Sequence, residues 1–268
     1  MKKILLILIF AVAAFFWIKK EWRTSDYKLG IITPTQVAIL SVSPSREMVN
    51  VLILEPMVKV WIPGGMGWYQ SDKINKIAET EKKPELIDNI FYYNFGFVPD
   101  KVVYLKDVNE WRNWNSVKYW GTVEWLRYKF FEEEWLFKSE DISQDLIAGN
   151  DKLKEILPRD FADSELSTGE LRISVFNASG QNALGSFMAD RLNWMGFEVM
   201  EVNSAELINN CEVMVKNSAD KLTIKYAEWL SKMFKCSQIS NNSLLNKEIL
   251  LYLGQNYASM IKYDSYQK

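Results

Sequence analysis

Histidine is absent from the 268 residues, and the only cysteines are Cys211 and Cys236. That excludes Ser-His-Asp and Cys-His catalysis, His-based metal sites and Cys-rich zinc sites. A single Cys211–Cys236 bridge is open to a chain that folds outside the cytoplasm, and two buried free thiols are the alternative. Gly180 and Gly185 have the spacing of a phosphate loop, but Ser186-Phe187 stands where that loop needs Lys-Ser or Lys-Thr. The expected reading is a backbone turn before a helix, whose N-terminal N–H groups remain able to hold an anion. Asn177 and Ser179 of this turn are candidate ligand-binding residues. Glu132-Glu133-Glu134 reads as a solvated charge run, because three successive residues point in different directions on a helix.

Charge is unevenly placed. Of 32 basic and 34 acidic residues, five and one fall in the first 23, so the remainder carries 27 and 33, a net of −6. An acidic body lacks the electrostatic footprint of a nucleic-acid binder. Lysine pairs bracket the unbroken apolar run ILLILIFAVAAFFWI, residues 4–18. Its 15 residues cover roughly 22 Å as a helix, short of a hydrocarbon core of about 30 Å, but snorkelling lysines and interfacial Trp17 and Trp22 extend its reach. A membrane anchor over 1–23 is the expectation, with a cleaved signal peptide or a core helix as alternatives. Basic residues on both flanks leave orientation open.

The elements that must position these residues follow from pattern. Residues 21–29 read as a polar connector. Gln36–Val42, Val49–Leu54, Val58–Ile62 and Lys101–Leu105 read as strands, and 72–93 as helix broken near Pro84. Between Trp111 and Phe137 aromatics are dense, a pattern of packed helices rather than of sugar stacking. Residues 138–168 are polar and acidic and read as a linker. Leu171–Phe176 alternates as a strand. A helix follows with Leu184, Phe187, Met188, Leu192 and Met195 on one face, ended by Gly196. Phe197–Val202 and Glu212–Lys216 are further strands. The second helix carries Leu222, Tyr226, Leu230 and Met233, and Glu248–Leu253 is continuously apolar, as a central strand is. The order predicts a ferredoxin-like βαββαβ domain over 169–263.

The stretch ISVFNASGQNALGSFMADRLNWMGFEVMEV, residues 173–202, resembles the LytR C-terminal domain: a strand, an Asn-(Gly/Ala)-(Ser/Thr) turn, a small-residue helix, then Gly-Phe-x-Val. Asn177, Ala178, Ser179, Ala189, Leu192, Gly196, Phe197 and Val199 carry the pattern, and ILLYLGQNY, residues 249–257, resembles the family's closing strand and turn. Upstream, residues 30–137 resemble a degenerate LytR-CpsA-Psr domain of α/β type. The carriers are VAILSVSPSREMVNVLIL, VWIPGG with Asp72-Lys73-Ile74-Asn75, and FGFVPDKVVYLKDVNEW. The resemblance implies an enzyme that moves glycopolymers from a polyprenyl pyrophosphate carrier to peptidoglycan, using aspartates, arginines and a divalent metal. Such groups are needed because a pyrophosphate concentrates negative charge.

The chain departs from that pattern at the chemistry. The family's Pro-Arg-Asp falls on Glu55-Pro56-Met57 and its Asp-Thr on Thr35-Gln36, and its arginine-rich helix has become the tryptophan-rich stretch, which keeps only Arg112 and Arg127. Glu55 stands at the proline position of that triplet and not at its aspartate position, so it is not expected to replace the metal ligand. Lys73 and Asn75 are the residues that could keep a ligand contact, with a backbone cap as the alternative for Asn75. The expectation is therefore an α+β protein: an N-terminal transmembrane helix, a degenerate α/β module, and a ferredoxin-like C-terminal domain. It would be a single-pass protein of the cell membrane, its bulk extracytoplasmic, non-catalytic and without cofactor or metal. It would bind peptidoglycan, a wall glycopolymer or an envelope protein, and no nucleic acid. The rival is a phosphotransferase with a rebuilt site, and a transcriptional attenuator would need a basic surface that is not visible.

Overall fold

The computed structural model describes residues 26–43, 46, 48–112, 136–142 and 151–266. The apolar run at 4–18, the Glu132-Glu133-Glu134 run, Arg127 and most of the aromatic stretch lie outside them. Among the described residues no helix is long and apolar enough to cross a membrane.

In chain order the elements are β1 (Tyr27–Ile32), β2 (Val37–Ser43), β3 (Met48–Leu54), β4 (Lys59–Ile62), β5 (Gly67–Gln70), α1 (Ile74–Glu81), α2 (Pro84–Phe95), β6 (Lys101–Tyr104) and β7 (Leu136–Ile142). Then follow α3 (Asp151–Ile156), β8 (Arg172–Asn177), α4 (Leu184–Met195), β9 (Glu198–Ser204), β10 (Glu212–Val215), α5 (Lys221–Phe234), β11 (Ser237–Ser240), β12 (Glu248–Leu253) and α6 (Gln255–Ile261). The fold is mixed α+β. It divides into two compact units, the first made of Met1–Pro56, Ser71–Lys76 and Pro99–Ser143, the second of Met57–Gln70, Ile77–Val98 and Gln144–Lys268.

The first unit holds a five-stranded sheet in the order β6-β1-β2-β3-β7. β1, β2 and β3 form an antiparallel meander, and β6 and β7 run parallel to β1 and β3 at the edges. Alternate residues such as Leu29, Ile31, Leu40, Val49 and Val51 build one apolar face against Val108 and Trp111. β1 lies in what the sequence suggests is a polar connector. Its YKLGII pattern has a lysine as second residue and is interrupted by Gly30, yet Lys28 is only 6% exposed and its amide donates to Asp100 Oδ2 at 2.7 Å.

The second unit gathers segments far apart in sequence. A hairpin of β4 and β5 turns at Pro63-Gly64-Gly65, where both glycines take positive φ. α2 begins with Pro84, whose missing N–H costs nothing at a helix start, and ends at Gly96 with φ +59. The break near Pro84 is thus where the sequence places it. The second sheet has the order β11-β10-β12-β8-β9. One core joins Trp61, Tyr92 and Tyr93 to Val175, Leu192, Phe234, Leu251 and Tyr257. The Ile-Pro-Gly stretch and α2, which the resemblance groups with residues 30–137, therefore pack with the C-terminal residues. Trp61, Tyr92 and Tyr93 are buried in the same core as the C-terminal strands and helices.

Two other expectations are corrected. The ferredoxin-like βαββαβ arrangement gives way to five strands. β8 pairs in parallel with its successor β9, and β10 with its successor β11, while β12 lies between β8 and β10. In a ferredoxin-like sheet each such parallel pair is split by another strand. The overlooked strand, SQIS in β11, is short, lies at an edge and carries a single isoleucine, so no alternation marks it. The expected linker at 138–168 contains most of β7 and all of α3, and Leu153, Leu157, Phe161 and Leu166 are buried.

Cys211 and Cys236 form a disulfide. They precede β10 and β11, whose first residues, Glu212 and Ser237, are register partners, so the bridge staples two neighbouring strands where they begin.

Arg191 is 3% exposed and fixes α4 to α2. Its Nε donates to the Tyr93 carbonyl at 2.8 Å, Nη1 to the Phe187 carbonyl at 3.3 Å and Nη2 to Tyr266 Oη at 3.3 Å. Its guanidinium lies 3.8 Å from the Phe187 ring centroid. Arg191→Met keeps the volume but leaves those acceptors short of a donor, so it should cost about 2–3 kcal/mol. Thermal unfolding followed by circular dichroism should show the loss. Arg191→Lys should not restore it, because one ammonium cannot reproduce the fork.

Candidate functional site

The four residues singled out by sequence fall two in each unit. Lys73 and Asn75 belong to the first unit. Lys73 is exposed and pairs with Asp72 at 2.7 Å, and Asn75 sits half-buried in the first turn of α1. Asn177 and Ser179 are together at the end of β8, where they brace the turn itself. Asn177 Oδ1 accepts from the Ser179 amide at 3.3 Å and hydroxyl at 2.7 Å, Asn177 Nδ2 donates to the Gln181 carbonyl at 2.8 Å, and Ser179 Oγ accepts from the Gln181 amide at 3.1 Å. This is the Asx-turn chemistry that suits Asn and Ser to turns. It leaves Asn177 and Ser179 engaged with their own backbone.

Among the described residues no group of three or more Asp, Glu or Cys converges to hold a metal ion. Glu55 is exposed, and Met57, on which the aspartate of the resembled pattern falls, is 62% exposed. A thioether there is a soft and poor ligand for a hard divalent cation.

The second unit instead contains a hollow of about 1090 Å³ that sequence reasoning misses. Four segments build it: the Pro63-Gly64 turn, the junction of α1 and α2, the last turns of α5, and α6. Its wall is apolar, with Met66, Val98, Trp229, Met233, Met260 and Ile261. The Gly64 amide donates to the Ile261 carbonyl at 2.9 Å and ties the turn to α6.

Its charged side mixes Lys82, Lys83, Lys232 and Lys235 with Glu81, Glu85 and Asp88. Lys83 faces Glu81 at 3.4 Å and Lys235 faces Glu85 at 3.6 Å. Lys82 and Lys232 have no ion-pair partner among the described residues. Asp88, which also lines the hollow, has its pKa raised, first by partial burial and then by the Glu85 charge. Tyr93 also lines the hollow, and its hydroxyl lies 2.9 Å from that of Tyr257. Burial raises the Tyr93 pKa, outweighing the opposing effect of that hydrogen bond, so the phenol stays protonated. The arrangement supplies apolar contact, the Trp229 indole and two lysines without an ion-pair partner among the described residues. The available signal was Lys82-Lys83 and Lys232/Lys235 at the ends of predicted helices, where lysine is ordinary solvating material.

Residues 170–257 match the family model described as LytR cell envelope-related transcriptional attenuator. The C-terminal part of the chain thus carries the LytR C-terminal domain. No curated protein matches the chain. Among solved structures, a LytR-CPS2A-psr family protein, YwtF (TagT) with bound octaprenyl pyrophosphate lipid, is 10% identical over 79% of this chain and 91% of that one, with a TM-score of 0.26. TagT of B. subtilis is 11% identical over the same shares, also at 0.26. The Lin1025 protein from Listeria innocua is 8% identical over 79% of this chain and 99% of that one, at 0.25. Overlays this loose do not equate the folds.

Proposed function

We propose, from the match of residues 170–257 to the LytR C-terminal family, that this chain is a non-catalytic protein of the cell envelope that binds a wall glycopolymer. In this reading residues 4–18 anchor it in the cell membrane and the bulk of the chain is extracytoplasmic. The observation that carries the reading is the hollow in the second unit. Lys82 and Lys232, which have no ion-pair partner among the described residues, suit the phosphates of an anionic polymer, and the Trp229 indole suits the apolar face of a sugar. The Cys211–Cys236 bridge supports an oxidising compartment. The non-catalytic part rests on Thr35-Gln36 and Glu55-Pro56-Met57, which stand where the resembled enzymes carry their acids and arginine.

The test uses the full chain in neutral-lipid nanodiscs, with purified peptidoglycan, peptidoglycan carrying anionic glycopolymer, and a polyprenyl-pyrophosphate analogue, each with and without divalent cation. Retention on the polymer-bearing wall, weakening as salt rises, is expected. Lys82→Glu combined with Lys232→Glu should weaken it at least tenfold with the melting temperature unchanged. Metal-dependent transfer of the glycopolymer would instead show a phosphotransferase with a rebuilt site. Equal retention by the double variant would remove the hollow from the proposal.

A further inference from the structure

β12 reads EILLYL and is apolar on both faces, yet the core cluster uses only one of them. Ile249, Leu251 and Leu253 enter that cluster with α4, α5 and α6. Leu250 and Tyr252 point the other way and stay half-buried. Met214 on β10, Ile239 on β11 and Phe176 on β8 do the same, and none of the five packs on the core cluster. A sheet face meant for water carries polar residues at such positions.

Register gathers these residues into rows across the sheet. Ile239, Met214 and Leu250 are successive partners, and their row ends in Ser174 and Glu201. Tyr252 and Phe176 are partners in the next row, with ring centroids 4.6 Å apart and planes at 13°, between Glu212 and Asn203. The row of Glu248, Arg172 and Glu198 borders them. The polar border is acidic: four glutamates stand against Arg172, which is paired with Glu198 at 3.3 Å. Glu201, Glu212 and Glu248 have no cation partner among the described residues.

We infer that this sheet face docks a protein segment of complementary pattern, an apolar centre bordered by lysines or arginines. Charge selects that occupant. A second copy of this chain would set the same acids against each other, and anionic lipid or nucleic acid would be repelled.

The test again uses the full chain in neutral-lipid nanodiscs. One probe is a fluorescent amphipathic helical peptide with a leucine face bordered by lysines. The other has the same leucines bordered by glutamates, and empty discs supply the background. The lysine peptide should bind at least tenfold more tightly than the glutamate peptide. Glu201→Lys with Glu212→Lys, both at the sheet surface, should abolish that preference while leaving the melting temperature unchanged. Leu250→Asp should weaken both peptides, read against its own melting curve. Equal binding of the two peptides, an unaltered preference in the charge-reversed variant, or self-association through this face in sedimentation would overturn the inference.

Discussion

Gly96→Ala should lower the melting temperature by roughly 8–16 °C. Gly96 closes α2 at φ +59, and its amide donates to the Tyr92 carbonyl at 2.7 Å. A Cβ built there meets the Arg191 carbonyl oxygen at 2.5 Å and Trp194 Cβ at 2.8 Å. Left-handed backbone costs an L-residue about 1 kcal/mol, and forcing a methyl against backbone adds about 1–3 kcal/mol or more where nothing can give. The sum is about 4 kcal/mol, since the obstructing atoms belong to α4 and are held by the buried Arg191. Gly169→Ala supplies the comparison. Its φ is +69 with nothing within 4 Å of the added carbon, so it reports the backbone cost alone. If the two variants melt together, the close approach of α2 to α4 does not limit residue 96.

Removing the disulfide should have the next largest effect. The bridge spans a separation of 25 residues, for which the loop-entropy relation gives about 3.5 kcal/mol. Cys211→Ala with Cys236→Ala should therefore melt roughly 7–14 °C lower. A reductant that opens the bridge should shift the wild type and leave the double variant where it is. Coincidence of reduced and oxidised wild-type curves would mean that the thiols are not bridged in solution.

Much of the C-terminal fold is legible in the sequence because its signals are local. Leu171–Phe176 alternates, the next helix keeps an apolar face, and Gly196 stops it. β11 escapes for the opposite reason: a short edge strand needs no apolar face, and SQIS shows none. The capture of Trp61, Tyr92 and Tyr93 by C-terminal residues leaves no local trace. Their partners stand about a hundred residues or more away, and any buried aromatic looks alike in sequence. The hollow is hidden in the same manner, since no one of its four segments contains more than part of the wall. Asn177 and Ser179 show how a turn imitates a site: the groups that could hold a ligand are those that best satisfy a bent backbone. The pairing of Cys211 with Cys236 depends on two strand starts becoming neighbours, which the sequence does not reveal until β11 is found.

Tyr266 has a consequence for how the protein is made. It packs 5.4 Å from Trp61 and 4.5 Å from Phe187, and its carbonyl accepts from Trp68 Nε1 at 3.2 Å across 198 residues. Contacts of such sequence separation form slowly, because a long loop must close before they contribute. During synthesis the indole of Trp61 would therefore emerge about two hundred residues before its last partner, leaving a tacky aromatic surface for a chaperone to shield.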